Sequence, residues 1–281
     1  MADSAKPTIL FTNDDGIRSP GLWAAVSAFR CRGRLLVVAP REQQSGMGRS
    51  MPHYSEGRIF PYEVPIDCGE CEAYAVDGTP AQAVQHAVLE LAEKQPALLV
   101  SGINYGENTG NGVTISGTVG AALEGASLGI PSIAVSLQTT TDLHHSHSDE
   151  VDFSVSAAFA LRIGGWLMDH SALPDDVDVL KIDVPWAATR ETEWRLTRLS
   201  RRRVYWPTRP ERLALHDTGK LGYQYNSDPS AAEPDSDVYA LLTDKVISVT
   251  PISLDMTSRT DMFRLTQIML GKIELRQPRL M

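Results

Sequence analysis

The feature that most restricts the fold of this chain is the alternation of short apolar runs with helical patterns over the first 185 residues. Strands are predicted at Thr8–Phe11, Leu35–Ala39, Ala73–Val76, Ala97–Ser101, Ser132–Ser136 and Val179–Val184. Helices are predicted at Pro20–Phe29, Pro80–Glu93 with Thr79 as its cap, Val119–Leu128 and Val151–Met168. Continuous apolar strands separated by helices are typical of a parallel sheet covered on both faces. We therefore predict an α/β fold with a doubly wound, Rossmann-like, mostly parallel sheet.

The pattern changes after about Pro185. Residues 195–205 alternate as a strand does, and residues 211–234 indicate irregular or hairpin structure. A strand is then predicted at Val246–Val249 and a helix at Thr260–Leu270. We divide the chain into a core, residues 1–185, that carries the predicted site, and a C-terminal extension, residues 186–281, within the same domain.

Composition narrows the classes of partner. The 281 residues are 42% hydrophobic and 22% charged, as in an ordinary soluble protein, and the formal net charge is -9. This charge argues against nucleic acid or an anionic membrane surface as a partner. No stretch approaches the ~18 apolar residues of a membrane span, and the first residues lack the apolar region of a signal peptide. The expected location is the cytoplasm.

Two adjacent carboxylates, Asp14 and Asp15, follow the first predicted strand within the sequence TNDDG. Ligands bind beyond the carboxyl ends of the strands in open α/β sheets, so this position favours a site. Adjacent carboxylates repel each other unless a cation holds them, and oxygen ligands favour hard cations such as Mg²⁺ or Mn²⁺. An ordinary turn remains the alternative, because Asn-Asp-Asp-Gly is also good turn chemistry.

Two further loops follow predicted strands and carry polar side chains. The first contains Ser45 and Gly46, which offer a hydroxyl and close backbone approach. The second contains Asn104 and Asn108, and it leads to Ser116-Gly117-Thr118 at the start of a helix. The free N–H groups of a helix N-terminus bind anions, although Ser116 or Thr118 would also serve as a simple helix cap. Together the three loops indicate a metal ion beside a phosphate.

Several common enzyme classes lack their motifs in this chain. There is no G-x-x-x-x-G-K-[ST] phosphate loop, no G-x-G-x-x-G after the first strand and no G-x-S-x-G elbow. The single C-x-x-C of Cys68 and Cys71 has no second half for a zinc site. The remaining prediction is a phosphomonoesterase in which a metal ion activates water or polarises the phosphoryl group.

The sequence resembles the survival protein E (SurE) family of nucleotidases. The matching segments, in chain order, are ILFTNDDGIRSPG, VVAPREQQSG, VDGTPAQAV, LLVSGINYGEN, SGTVGAALEG, GIPSIAVS and, more loosely, ISVTPISLDMT. The resemblance implies hydrolysis of nucleoside 5′- and 3′-monophosphates with one divalent ion, Mg²⁺ or Mn²⁺, per subunit. It also implies a homodimer or homotetramer in which C-terminal segments are exchanged between subunits.

The resemblance assigns roles to individual residues. It places the metal ion on Asp14, Asp15, Ser45 and Asn104, of which the two aspartates are the predicted catalytic residues. Residues expected near the substrate phosphate are Asn13, Gly46, Asn108, Ser116, Gly117 and Thr118. The alternatives are a phosphatase for another substrate class, such as polyphosphate or a sugar phosphate, and a nucleotide-binding regulator without turnover.

Some positions depart from the family pattern or have no clear role. Gln82 stands where the family usually has an acid, and Asp183 lies in a strand that is usually rich in asparagine. The basic run Arg201–Arg203 is interpreted as a solvated strand edge, with nucleotide attraction as the alternative. The histidines at positions 144, 145 and 147 are interpreted as part of an exposed loop rather than a metal site.

Overall fold

A computed structural model describes residues 6–144, 148, 150–170, 173–226, 228 and 232–273. Within these residues nine strands form one sheet in the order β3-β4-β2-β1-β5-β6-β7-β11-β8. Their bounds are β1 Thr8–Thr12, β2 Arg34–Pro40, β3 Ile59–Pro61, β4 Cys71–Val76, β5 Leu98–Tyr105, β6 Ser132–Leu137, β7 Val179–Val184, β8 Trp194–Leu196 and β11 Ile247–Ile252. Strands β4, β2, β1, β5, β6 and β7 are parallel, whereas β3 and β11 pair antiparallel with their neighbours. The predicted α/β, mostly parallel fold is confirmed.

Helices cover both faces of this sheet. Their bounds are α1 Pro20–Ala28, α2 Pro80–His86, α3 Gly117–Ser127, α4 Ser154–Asp169, α5 Asp237–Tyr239 and α6 Met262–Met269. Helices α1 and α4 pack together on one face, and α2 and α3 pack together on the other. Ile9 and Phe11 of β1 lie in the first core, and Leu10 lies in the second. Because successive side chains of a strand point to opposite faces, burial on both faces requires the continuous apolar runs.

The C-terminal extension continues the same sheet. Strand β11 pairs antiparallel with β7, and β8 pairs parallel with β11 at the sheet edge. A separate antiparallel hairpin joins β9, Tyr205–Thr208, to β10, Gly222–Tyr225. Hydrogen bonds between β7 and β11 join the two parts of the chain on either side of residue 185. The division at this residue stays a prediction.

The predicted strand over residues 195–205 was wrong, because only its ends are strand. Between Leu196 and Tyr205 the described residues form no continuous strand, and Arg198 makes only an isolated parallel bridge with Ser236. The Arg198 N–H donates to the Asp235 carbonyl at 3.1 Å, and the Ser200 N–H donates to the Asp237 carboxylate at 2.9 Å. The Asp237 carboxylate competes with strand pairing at Ser200, so alternation alone overestimated the strand.

Other boundaries differ from prediction by a few residues. Strand β5 extends to Tyr105, past a register irregularity between Ser101 and Asn104, so Asn104 lies at an irregular strand end. Helix α3 begins at Gly117, two residues before the predicted start. Helix α2 gives way after His86 to a π-helical turn, 87–91. Element ends are set by local caps and contacts that periodicity does not report.

Gly21 allows α1 to approach the irregular end of β5. A Cβ atom at this position would lie 2.1 Å from the Ile103 carbonyl oxygen. We expect Gly21→Ala to destabilise the protein by about 1–3 kcal/mol or more, because the backbones must separate. The apparent melting temperature should fall by several degrees, as thermal unfolding would show. Gly112→Ala is the matched control, since a Cβ atom at Gly112 meets nothing within 4 Å. Equal melting temperatures for the two variants would contradict this account.

Candidate active site

The first predicted site loop, residues 13–16, is rigidly held. Asn13 is fully buried; its amide nitrogen donates to the Gly16 carbonyl at 3.0 Å, and its amide oxygen accepts from the Gly16 N–H at 3.1 Å. The φ of Gly16 is +94°, which favours glycine. The Asn13 side chain therefore stabilises the turn that carries the two aspartates.

Asp14 is 5% exposed and lies against the N-terminus of α3. Its carboxylate accepts a 2.5 Å hydrogen bond from the Thr118 hydroxyl. Burial raises the pKa of Asp14, while the Thr118 hydroxyl and the amides of Thr118 and Gly117 act in the opposite direction. A Cβ atom on Gly117 would lie 2.7 Å from a carboxylate oxygen of Asp14. Glycine at position 117 therefore allows this close approach of the helix to the acid.

Asp15 is 1% exposed and lies between β5 and the second loop. Its carboxylate accepts the Tyr105 N–H at 3.2 Å and the Gln43 side-chain amide at 3.1 Å. Burial, and then the charge of Asp14, raise the pKa of Asp15 well above its usual value. A pair of adjacent buried acids with raised pKa values is a site in which a bound cation would favour both charged forms.

The three predicted loops are joined by backbone hydrogen bonds. The Gln44 N–H donates to the Asp14 carbonyl at 2.7 Å. Ser45 is the next residue in the chain, so its backbone lies close to the first loop. The Gly48 N–H donates to the Ile115 carbonyl at 3.0 Å, next to the start of α3. A Cβ atom on Gly120 would lie 2.3 Å from the Gly48 backbone, so these two glycines bring the second loop against α3.

The remaining predicted residues lie around this centre. The Asn104 amide nitrogen donates to the carbonyls of Tyr105 and Gly106 at 3.2 and 2.6 Å. Its amide oxygen accepts no hydrogen bond from the described part of the chain and suits a metal ligand. Ser45 and Gly46 are exposed, and Ser116 caps α3 by accepting the Val119 N–H at 3.1 Å.

This set of donors fits a hard divalent cation. Two carboxylates, one amide oxygen and one hydroxyl supply only oxygen, which Mg²⁺ and Mn²⁺ prefer. Across the described residues, no three His, Cys, Asp or Glu side chains converge as a metal site. The predicted ligand set is consistent with this, because it contains only two acids, with Ser45 and Asn104 as neutral members.

A buried ion cluster that sequence reasoning missed supports the Asn108 loop. Lys181, Asp183 and Asp237 are fully buried, and the Lys181 ammonium contacts both carboxylates. Asp183 accepts the Asn108 N–H at 2.8 Å, and Asp237 accepts the Gly110 N–H at 2.9 Å. Burial by itself lowers the pKa of Lys181, but the two carboxylates raise it overall, so the lysine is charged. The signal in the sequence was charged residues inside the apolar strand VLKIDV.

Of the histidines in the predicted exposed loop, His144 is half-buried and packs against Tyr205 and Tyr223. His145 and His147 lie outside the described residues. The side chains of Arg201–Arg203 are exposed, and Arg203 stacks on Trp206 at 5.9 Å. Gln82 completes the capping box of α2 with Thr79, which gives this departure from the family pattern a structural role.

Comparisons with known proteins identify the family of this chain. The profile of the family described as Survival protein SurE matches residues 9–205, a span that includes every predicted metal ligand. The chain belongs to the SurE family. A relative named 5′-nucleotidase SurE from Thermococcus gammatolerans is 42% identical, with 94% of this chain and 96% of the relative covered. A second, from Rubrobacter xylanophilus, is 37% identical, with 95% and 99% covered.

A solved SurE structure has the same fold. The SurE protein from Aquifex aeolicus superposes with a TM-score of 0.73 and 30% sequence identity, covering 94% of this chain and 100% of that one. The α/β architecture predicted from the sequence is thus shared with this SurE protein over nearly its whole length.

We expect Lys181→Met to destabilise the protein by about 3–5 kcal/mol, because two buried carboxylates would lose their cation. Chemical denaturation measures the loss. Lys220→Met removes an exposed lysine and is the control. If both variants unfolded at the same denaturant concentration, the ion cluster would have no such role.

Proposed function

We propose that this SurE-family chain is a metal-dependent nucleotidase that hydrolyses nucleoside 5′-monophosphates, and 3′-monophosphates as well, to nucleoside and phosphate. The observation that carries the proposal is the burial of Asp14 and Asp15 side by side at the carboxyl end of β1, next to the N-terminus of α3. The relatives named 5′-nucleotidase SurE support this substrate class.

One divalent ion per subunit, Mg²⁺ or Mn²⁺, would be held by Asp14, Asp15, Ser45 and Asn104. When bound, such an ion supplies Lewis-acid chemistry to a phosphate ester and favours ionised water at neutral pH. The Tyr105 N–H and the Gln43 amide fix the Asp15 carboxylate, and Thr118 fixes that of Asp14. Both acids are thereby held in place before substrate binds, which lowers the cost of organising the site.

The phosphate would lie beside the metal ligands, near Gly46, Asn108 and the Ser116–Thr118 turn. The Asn108 side-chain amide donates to the Ser136 hydroxyl at 2.8 Å, and its N–H is fixed by Asp183. These contacts hold Asn108 rigidly at the carboxyl edge of the sheet. Helix N-terminal groups and side-chain amides of this kind favour the charge that develops on the phosphoryl oxygens.

The first test is phosphate release from a panel of nucleoside 5′- and 3′-monophosphates with EDTA, Mg²⁺ or Mn²⁺. We expect release that depends on the metal ion and falls at least a hundredfold in Asp15→Asn and in Asp14→Ala, since each loses a charged ligand. Addition of Mn²⁺ should raise the melting temperature of the wild type but not that of either variant.

Asp175→Asn, which changes an exposed aspartate, is the matched control and should behave as the wild type does. Full activity of Asp14→Ala would contradict the proposed site. Release only from polyphosphate or a sugar phosphate would favour the alternative substrate class, and tight nucleotide binding without release would favour a regulator.

We further propose that the chain forms a homodimer or homotetramer through its C-terminal extension. Helix α6 is amphipathic, yet none of its residues is buried, and Met269 is 79% exposed. Other apolar side chains exposed on or just after this helix are Met262, Phe263, Leu265, Leu270 and Ile273. An apolar helix face of this size without a partner is typical of a subunit contact.

Placing a charge on this face should weaken the association. We expect Met269→Glu to lower the mass measured by sedimentation or light scattering, because a buried carboxylate would oppose contact. Gln267→Glu adds the same charge on the opposite, polar side of α6 and should keep the native mass. A monomeric wild type would overturn the proposed association.

None of the described helices is both long enough and apolar enough to cross a bilayer. A cytoplasmic location stays a prediction from the sequence.

A further inference from the structure

The β9–β10 hairpin presents three tyrosines as one cluster. Tyr205 pairs directly with Tyr225 across the hairpin, and their ring centroids are 5.3 Å apart. Tyr223 is two residues from Tyr225, so both project from the same side of β10, and its ring lies 5.5 Å from that of Tyr205. We call these three residues the tyrosine cluster.

The tyrosine cluster lies next to the candidate metal centre. His144 bridges the two: its ring is 6.0 Å from that of Tyr205, and its Nδ1 is 3.1 Å from the Tyr223 hydroxyl. The His144 carbonyl accepts a 2.9 Å hydrogen bond from Gln43, whose amide also donates to Asp15. His144 and the Gln43 side chain thus connect the cluster to a predicted metal ligand.

Gly106 lies in the loop that carries Asn104 and Asn108, and it brings this loop to the same place. A Cβ atom at Gly106 would lie 2.6 Å from His144 Nε2, and the φ of Gly106 is +97°. The next residue is Glu107, which lies between the metal ligand Asn104 and the proposed phosphate contact Asn108 in the chain. The loop that would hold the metal ion and phosphate therefore contacts His144, which in turn packs against the tyrosine cluster.

Glu107 is 4% exposed, and neither of its carboxylate oxygens accepts a hydrogen bond of ordinary geometry from the described residues. The Tyr225 hydroxyl is buried and likewise lacks such a partner in that part of the chain. Burial raises the pKa of Glu107, and the nearby hydroxyls of Tyr225 and Tyr205 act against that rise. A buried carboxylate is stable only when donors compensate it, and the Tyr225 and Tyr205 hydroxyls are its nearest side-chain donors in the described part of the chain. Because neither oxygen accepts a well-formed hydrogen bond from the described residues, the carboxylate keeps acceptor capacity for the hydroxyl groups of a ligand.

The chemistry of these groups restricts that ligand. Burial and the Glu107 charge raise the pKa values of Tyr205 and Tyr225, so both phenols stay protonated. Glu107 and the tyrosine cluster then offer a carboxylate acceptor, hydroxyls that donate or accept, and aromatic faces. A carboxylate repels phosphate, but it binds vicinal hydroxyls well, as acidic residues do with ribose in dinucleotide-binding proteins. Tyr223, 43% exposed, offers an aromatic surface to a planar base.

We propose that Glu107 and the Tyr225 hydroxyl bind the ribose hydroxyls of the substrate and that Tyr223 contacts its base. This inference rests on the proposed nucleotidase activity and specifies how the nucleoside is recognised. The hairpin of the C-terminal extension then completes the active site. The enzyme prefers ribonucleotides to nucleotides that lack sugar hydroxyls, and it prefers nucleotides to base-free sugar phosphates.

The test compares AMP with 2′,3′-dideoxy-AMP, which has the same phosphate and base but no vicinal hydroxyls. We expect the wild type, with Mn²⁺, to favour AMP by about ten- to a hundredfold in kcat/KM, the effect of a hydrogen bond to a charged group. Glu107→Met keeps the side-chain volume and removes the acceptor. It should raise KM for AMP until the two substrates are nearly equal, with dideoxy-AMP changed less than twofold.

Two further variants separate recognition from folding. Tyr225→Phe removes only a hydroxyl and should reduce the AMP preference without lowering the melting temperature. Tyr223→Leu should raise KM for AMP at least fivefold and leave KM for ribose 5-phosphate unchanged, because that substrate has no base. Glu211→Gln, an exposed change in the connection between β9 and β10, is the control.

Equal losses on AMP and dideoxy-AMP in Glu107→Met would overturn the inference and would indicate that Glu107 is satisfied by buried water. An unchanged preference in that variant would overturn it as well. If the wild type released phosphate from neither nucleotide, the proposed function would fail and this inference with it. Release with no preference between the two nucleotides would leave the function standing and remove only the ribose contact.

Discussion

The side-by-side burial of Asp14 and Asp15 is the constraint on which the candidate site depends. Two carboxylates at the end of a buried strand lose hydration and repel each other, which raises both pKa values. Three neighbouring elements approach the two carboxylates and supply hydrogen-bond donors that offset this loss of hydration. Helix α3 approaches through Gly117 and Thr118, β5 offers the Tyr105 N–H, and the second loop offers Gln43. A bound divalent cation would offset the remaining repulsion between the two carboxylates. The same pair of acids therefore makes the metal-free site unfavourable and gives it its proposed function.

The buried ion cluster extends this organisation into the C-terminal part of the chain. Lys181 and Asp183 lie on β7, whereas Asp237 opens α5. Asp183 accepts the Asn108 N–H and Asp237 accepts the Gly110 N–H, so the two carboxylates fix the loop that carries these residues. An isolated buried charge would be unfavourable, but the Lys181 ammonium contacts both carboxylates, and each carboxylate also accepts a backbone N–H. The extension is therefore connected to the proposed phosphate contacts by hydrogen bonds as well as by strand pairing at β11.

The sequence predicted most of the fold because its signals were local. Continuous apolar runs identified the parallel strands, and the Thr79-Pro80 pair marked the start of α2. The strand over residues 195–205 was wrong because alternation does not reveal that the backbone there bonds to Asp237 and Asp235. Similarly, the end of β5 at Tyr105 depends on a register irregularity against β6, which involves residues about thirty positions away.

For the candidate site, the sequence by itself determined the residue types and their positions at strand ends: Asp14, Asp15, Ser45 and Asn104 follow three predicted strands, whose carboxyl ends share one edge. Only the tertiary structure decided which groups surround them. That Lys181 contacts Asp237, that Asp15 accepts the Tyr105 N–H, and that Tyr205 and Tyr225 lie beside Glu107 all follow from contacts between residues far apart in the chain. Such contacts leave no periodicity in the sequence, because burial and pairing across elements are set by how the layers pack together.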